Sequence, residues 1–397
     1  MNTIIKNVLH STYGRVNVML EGDKIKTISS DDVLNLEQDY DYIDGENYVM
    51  FPSFVDGHAH IDKTVYGLDW FCNDVGYERI DRIVNERNQR AKINFNYFEQ
   101  ASRYIELSLK FGVLHMRSHV DIDTQHKLKG LGQVLEAREK YKDLFDLQIV
   151  AFPQSGLMVR PGTYELMDEA LSMGADVVGG IDPAWIDRDP KGSIDAIFKL
   201  AEKHNKPIDI HIHEAAELGA FDLELIIEKT VAMGMQGRVS ISHAFCLGMP
   251  NQKVTQVLKE KIKEANINII NCYQAYLPAV PPLKELMDMG INIAGGNDDM
   301  RDMWTPYGTG DILERMQLIS MKNGFRKDSD LELSMTACTY NGSKVFGLEN
   351  YGIVEGNTAN FVLVKGRTIS ECIVTCPDDR IVFRNGKVIS RNGVNMF

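Results

Sequence analysis

Six of the ten histidines in this chain stand at the ends of short apolar runs. The clearest case is Phe51-Pro-Ser-Phe-Val-Asp-Gly-His-Ala-His60, an apolar run that closes on His58 and His60. Along a strand, residues i and i+2 project to one face, where two imidazoles can hold one divalent metal. A bare pair at this spacing is more often two ordinary strand-end histidines. Here Pro52 and Gly57 flank the run, and further chemistry-bearing residues close similar runs: His119, Gln154, His211-Ile-His213-Glu214, His243 and Asp298-Asp299. Such a set points to a site for a divalent metal. A nucleotide-phosphate site is disfavoured, because no glycine-rich loop or Walker pattern precedes a helix.

The elements that must position these residues follow from periodicity. Eight short apolar runs (51–58, 112–119, 147–154, 176–182, 208–214, 239–245, 267–273 and 291–298) alternate with segments of helical spacing, among them 96–110, 130–142, 194–204, 217–233 and 251–264. Strand–helix alternation repeated eight times predicts a parallel (β/α)8 TIM-type barrel over residues 51–350, whose active site lies at the carboxyl ends of the strands. Segments 309–323 and 332–346 supply helical cover for the last strand. Short strands are expected at both ends of the chain, over 3–9, 15–20, 24–28, 42–48, 361–364, 371–374, 381–384 and 387–390. Neither end carries enough apolar residues to bury a core alone, so residues 1–50 and 351–397 are expected to join as one small β-sandwich domain. Val178-Gly179-Gly180 reads as a close-packing glycine pair within the barrel.

Composition narrows the partners. The chain has 397 residues, 44% hydrophobic and 25% charged, with a net charge of −13. That charge repels nucleic acid and anionic membranes and favours a small-molecule substrate. Six scattered cysteines suit a reduced, cytoplasmic setting. The first residues are too polar for a signal peptide, and no run approaches the roughly 18 apolar residues of a membrane span. A homo-oligomer is the expected assembly.

Taken together, several motifs resemble the amidohydrolase superfamily, in the branch that holds bacterial cytosine deaminase and N-isopropylammelide isopropylaminohydrolase. They are Pro52-x-Phe54-Val55-Asp56-x-His58-x-His60-Ile61-Asp62-Lys63, Arg117-Ser118-His119-Val120-Asp121, Ala151-Phe152-Pro153-Gln154-Ser155-Gly156, His211-x-x-Glu214, Ser242-His243-Ala244 and Asp298-Asp299-x-Arg301-Asp302-x-Trp304. Two positions depart from the pattern: Asn297 stands where cytosine deaminase carries histidine, and Asp299 where the triazine enzyme carries asparagine.

The resemblance implies that His58, His60, His211 and Asp298 bind one metal ion, Zn or Fe, with Mn also accommodated. Three neutral imidazoles and one carboxylate leave room for a water whose pKa the cation lowers. No lysine ends the fourth run, which argues against a carboxylated lysine bridging two metals. Asp298 then also takes a proton, His243 orients the hydroxide or meets the developing oxyanion, and Glu214 moves a proton to the ring nitrogen and the leaving amine. Glu214 has a second reading as support for a ligand imidazole. Gln154, Lys63, Asp299 and Trp304 are the substrate contacts; His119 and His213 are read as structural or supporting, although alternation puts His213 on the face of His211. The implied reaction replaces an amino or alkylamino group on an N-heterocycle by hydroxyl. Hydrolysis of a cyclic amide on the same barrel is the alternative, and a non-catalytic scaffold fares worse because every ligand is present. The His/Cys nucleoside-deaminase pattern is missing; Cys372 and Cys376 before Pro377 do not reproduce it.

Overall fold

The computed structural model describes residues 2–31, 40–93, 95–275, 277 and 279–397. Met1 and 32–39, part of the expected N-terminal β segment, lie outside the described residues. Eight parallel strands hydrogen-bond in chain order: Phe54–Ala59, Val113–Asp121, Asp146–Phe152, Val177–Ile181, Ile208–Ile212, Val239–His243, Asn268–Asn271 and Ile293–Gly295. The fourth, fifth and sixth are buried at every position, as strands covered on both faces must be. Helices such as Tyr97–Phe111, Lys129–Tyr141, Pro190–His204, Ala216–Ala232 and Gln252–Glu264 return the chain between strands. Local chemistry starts and stops them. The Asn96 side chain accepts the Glu99 N–H at 3.2 Å, and Gly112, at φ +91, ends the same helix.

The ring closes where the first strand meets the end of the eighth. The Asp298 N–H donates to the His58 carbonyl at 2.7 Å, and Ala59 bridges Asp298 in parallel. Gly296 permits this contact, because a Cβ there would lie 2.5 Å from the His58 nitrogen. Barrel closure therefore carries Asp298 to His58. The Gly179–Gly180 pair packs closely as expected: a Cβ on Gly179 would meet the Ala151 carbonyl oxygen at 2.3 Å.

Strands from both ends of the chain form one nine-stranded sheet. Phe361–Lys365 pairs antiparallel with Tyr48–Pro52, and Tyr48–Pro52 pairs with Asn2–His10. The run at 51–58 is thus shared: Phe51 and Pro52 belong to this sheet, and the barrel strand begins at Phe54. Arg384 clamps the sheet to the barrel through two 2.9 Å bonds to Asp146.

Three expectations need correction. Segment 371–374 is not a strand but part of helix Ile369–Thr375; Thr368 caps it by accepting the Glu371 N–H at 3.0 Å, a Thr-x-x-Glu start that overrides the apolar run. Segment 42–48 is two strands, Asp41–Asp44 and Tyr48–Pro52, separated by a turn in which the Tyr48 N–H donates to the Gly45 carbonyl. Segment 332–346 starts earlier, at Asp328, and passes through a π-helical stretch, Ala337–Asn341. Helix Arg79–Arg90, between the first strand and its covering helix, has no counterpart in the expected elements.

Candidate active site

The carboxyl ends of the strands surround a cavity of about 390 Å3, within the range of small-molecule sites. His60, His211 and Asp298 line its floor; Gln154, Asp299 and Trp304 line its wall. His58 and His243 lie buried beneath the floor, at 0% and 2% exposure.

Donor geometry fits a divalent cation. His58 Nε2 and His60 Nε2 stand 3.4 and 3.3 Å from Asp298 Oδ1. Two ligands each about 2.1 Å from a shared ion stand roughly 3.0–3.4 Å apart. One nitrogen from each of His58, His60, His119 and His211 lies within 4.8 Å of the others. The expected four donors are spread over three overlapping groups among the described residues, His58–His60–His119–His211, His58–Cys272–Asp298 and His60–Asp298–Asp299, and His119 joins the first. The His58 Nε2 atom, both His211 nitrogens and the His243 Nε2 atom are buried with no hydrogen-bond partner among the described residues. Orphaned polar atoms at this density mark a site built to receive a ligand. Burial pushes the pKa values of His60 and His211 well below the ordinary histidine range, which keeps their nitrogens available as donors. Burial works to raise Asp298, but His243, His58 and His60 override it and hold the carboxyl well below the usual range. Cys272 also approaches His58 and Asp298, yet burial pushes its thiol well up, and the thiol form is a poor ligand.

Hydrogen bonds behind the floor fix the His58 tautomer. Ser242 Oγ donates to Asp209 Oδ1 at 2.7 Å, and Arg117 donates to the other Asp209 oxygen at 2.9 Å. With its proton committed to Asp209, Ser242 Oγ accepts from His58 Nδ1–H at 2.9 Å. His58 Nε2 then carries the lone pair and faces Asp298. His213, which lines the cavity, is set the same way: its Nδ1 stands 3.0 Å from Asp182 Oδ2, and Arg79 pairs with that oxygen at 3.1 Å.

Backbone strain gathers here. Asp298 sits at φ +63, His243 at +70 and Ala244 at +47, a region that costs non-glycine residues about 1–3 kcal/mol each.

Glu214 does not reach the cavity surface. Its Oε1 accepts the Trp185 N–H at 2.9 Å, and the Ala184 N–H is shared at 3.2 Å between Glu214 Oε1 and Asp222 Oδ2. Burial first, then the charges of Asp182 and Asp222, push Glu214 up to about 10. Lys63 is also withdrawn. It is 2% exposed, lies 3.1 Å from Asp121 and donates to Gln154 Oε1 from behind. Gln154 in turn donates to Glu86, as does Trp304 Nε1, at 2.5 Å. Asp299 lies on the wall, where burial and then the carboxyls of Asp302 and Asp298 push its pKa well up. Gln274, absent from the sequence reading, lines the cavity and donates to Asp298 Oδ2 at 2.5 Å. It has no motif around it, and only the position just after the seventh strand pointed to it.

The family model described as "Amidohydrolase family" matches residues 99–389. An N-isopropylammelide isopropyl amidohydrolase of Pseudomonas sp. (strain ADP) is 31% identical over 368 residues, covering 89% of each chain. The crystal structure of N-isopropylammelide isopropylaminohydrolase from Burkholderia multivorans superposes with a TM-score of 0.95 at 37% identity, covering 100% of both chains. That of 5-methylcytosine deaminase from Klebsiella pneumoniae, liganded with 5-fluorocytosine, gives 0.86 at 27% identity, covering 100% of this chain and 99% of the other. With a match this long and relatives this complete, the chain belongs to the amidohydrolase family, the metal-dependent hydrolases of carbon–nitrogen bonds.

Proposed function

We propose that this enzyme replaces an amino or alkylamino substituent on a single N-heterocycle, of the cytosine or ammelide type, by hydroxyl. The observation that carries the reading is the floor of the cavity. Asp298 Oδ1 lies 3.3–3.4 Å from two imidazole nitrogens beside the partnerless nitrogens of His211. His58, His60, His211 and Asp298 would hold one divalent ion, Zn or Fe, with Mn also accommodated by a set of three imidazoles and one carboxylate. When bound, the ion supplies water of lowered pKa as the nucleophile.

The chain's own residues do the rest. Asp298, kept ionised, takes the proton of the attacking water. His243 is neutral and stands against the position of the developing oxyanion. Gln154, Asp299 and Trp304 seat the ring, and Lys63 acts on it through Gln154. Glu214 holds a proton at neutral pH and gives it to the ring nitrogen, takes up the water proton that Asp298 removed and passes it to the leaving amine, and is reprotonated by the added hydroxyl as the product forms. That role requires its carboxyl to turn from Asp222 toward the cavity. Six free cysteines accord with a reducing, cytoplasmic compartment.

The test is a screen of the metal-loaded protein with cytosine, isocytosine, methylated cytosines, ammelide-type triazines and pterins, read as release of ammonia or alkylamine. Release from at least one class, abolished by a chelator and restored by metal, is the expected outcome. No release from any of them would refute the reading.

A further inference from the structure

Helix Arg79–Arg90 turns three residues inward at helical spacing, Ile83, Glu86 and Arg90. Glu86 is 2% exposed, and its two oxygens face different partners. Oε1 is ion-paired with Arg90. Oε2 accepts both the Gln154 Nε2 donor and the Trp304 indole N–H, the latter at 2.5 Å, and lies 3.8 Å from Lys63 Nζ. One buried oxygen thus holds two side chains of the cavity wall. We propose that Glu86 is a positioning residue, which fixes the carboxamide of Gln154 in one orientation and so decides which of two isomeric ring edges the cavity accepts.

A glutamine amide offers two N–H donors and two carbonyl lone pairs, and a free one flips to match either order of donor and acceptor. This one cannot. Lys63 donates to its oxygen and Glu86 accepts from its nitrogen, so a flip would set carbonyl against carboxylate and amide against ammonium. The remaining N–H and lone pair keep a fixed order at the wall. Discrimination then comes from refusing the reversed edge, whose donor and acceptor would be left unpaired in a buried site. Neutralising Glu86 does not strand a cation: Asp62, Glu86 and Asp121 face Lys63 and Arg90, so Glu86→Gln leaves two carboxyls against two cations. The substrate part of this inference rests on the reading under Proposed function.

The experiment compares wild type, Glu86→Gln and Glu86→Asp as metal-loaded enzymes, each with and without Gln154→Ala. Cytosine and isocytosine are the probes, because their ring edges exchange amino and carbonyl groups. The ratio of kcat/KM for the preferred over the disfavoured isomer should fall about tenfold or more in Glu86→Gln, with bound metal unchanged, and should not fall further in the Gln154→Ala background. If Glu86→Gln does not fold, the charge-retaining Glu86→Asp, whose shorter arm leaves Gln154, carries the same expectation. A second readout needs no substrate. In 15N–1H spectra the Trp304 indole and Gln154 amide signals, assigned by Trp304→Phe and Gln154→Ala, should shift upfield together when Glu86 is neutralised. If neither isomer is turned over, the proposed function loses this substrate pair, and the spectra alone decide whether Glu86 holds the wall. An unchanged ratio, an equal fall in the Gln154→Ala background, or unmoved Trp304 and Gln154 signals would overturn the positioning role.

Discussion

The floor and the wall of this cavity are built on opposite principles. The floor gathers imidazoles and Asp298 from several barrel strands, and leaves buried nitrogens without partners. The wall rests on helix Arg79–Arg90, whose Glu86 and Arg90 form a cluster with Lys63, Asp62 and Asp121 in which each charge has an opposite charge within 4.0 Å. An unpaired buried donor is costly unless a ligand takes it, whereas a buried ion cluster holds side chains still. The floor is arranged to receive a reactive ion and the wall to hold a shape. A change in the floor should therefore cost turnover, and a change in the wall should cost selectivity.

The sharpest break in that division is Asp298→Asn. It removes the only carboxylate within reach of both His58 and His60 among the described residues, so turnover should fall about 10⁴-fold, several kcal/mol of barrier, with metal lost by elemental analysis. Full turnover with metal retained would contradict it. Glu214→Gln comes next. Turnover should fall roughly 10²- to 10⁴-fold while metal stays near one per chain, as for a lost general acid. Loss of metal in this variant would instead make Glu214 a support for the ligands. Near-normal turnover would end its catalytic role. Ser242→Ala unties the His58 tautomer from Asp209 and should weaken metal affinity by about 10–100-fold in a chelator competition, with turnover near normal at saturating metal.

The last prediction is one of pH. Glu214 is raised to about 10 in the folded chain, against about 4.3 unfolded, so the folded state holds the proton that the unfolded state releases. Its contribution is fully present below the unfolded value and fades as pH climbs toward the folded one. Urea melts should show wild type losing stability relative to Glu214→Gln between about pH 5 and pH 10, and kcat/KM should decline toward the same alkaline limit. Parallel pH profiles for the two proteins would show that Glu214 is not protonated in the fold.

The floor was legible from sequence because its physics is local. Strand alternation put His58 and His60 on one face, and the ends of apolar runs marked His211, His243 and Asp298. The barrel was legible for the same reason, since eight runs repeat one pattern. The wall was not. Arg79-Ile-Asp-Arg-Ile-Val-Asn-Glu-Arg-Asn-Gln-Arg90 is so polar that it reads as a solvated segment; only the fold turns Glu86 and Arg90 inward, where they pair with Lys63, Asp62 and Asp121, 23 to 31 residues away in the chain. Lys63, taken as a substrate contact, proved to be spoken for by Gln154 and Asp121, partners that no spacing rule connects. Strand 371–374 failed because a cap formed by Thr368 outweighed a short apolar run.

The central claim is that this floor drives hydrolysis of an exocyclic carbon–nitrogen bond. The most direct measurement is the mass of the product formed from an amino-substituted pyrimidine or triazine by the metal-loaded enzyme, taken with the amine released. The expected result is an intact ring with hydroxyl in place of the amino group and one amine set free per turnover. A product heavier than the substrate by one water, with no amine released, would show ring opening and contradict it.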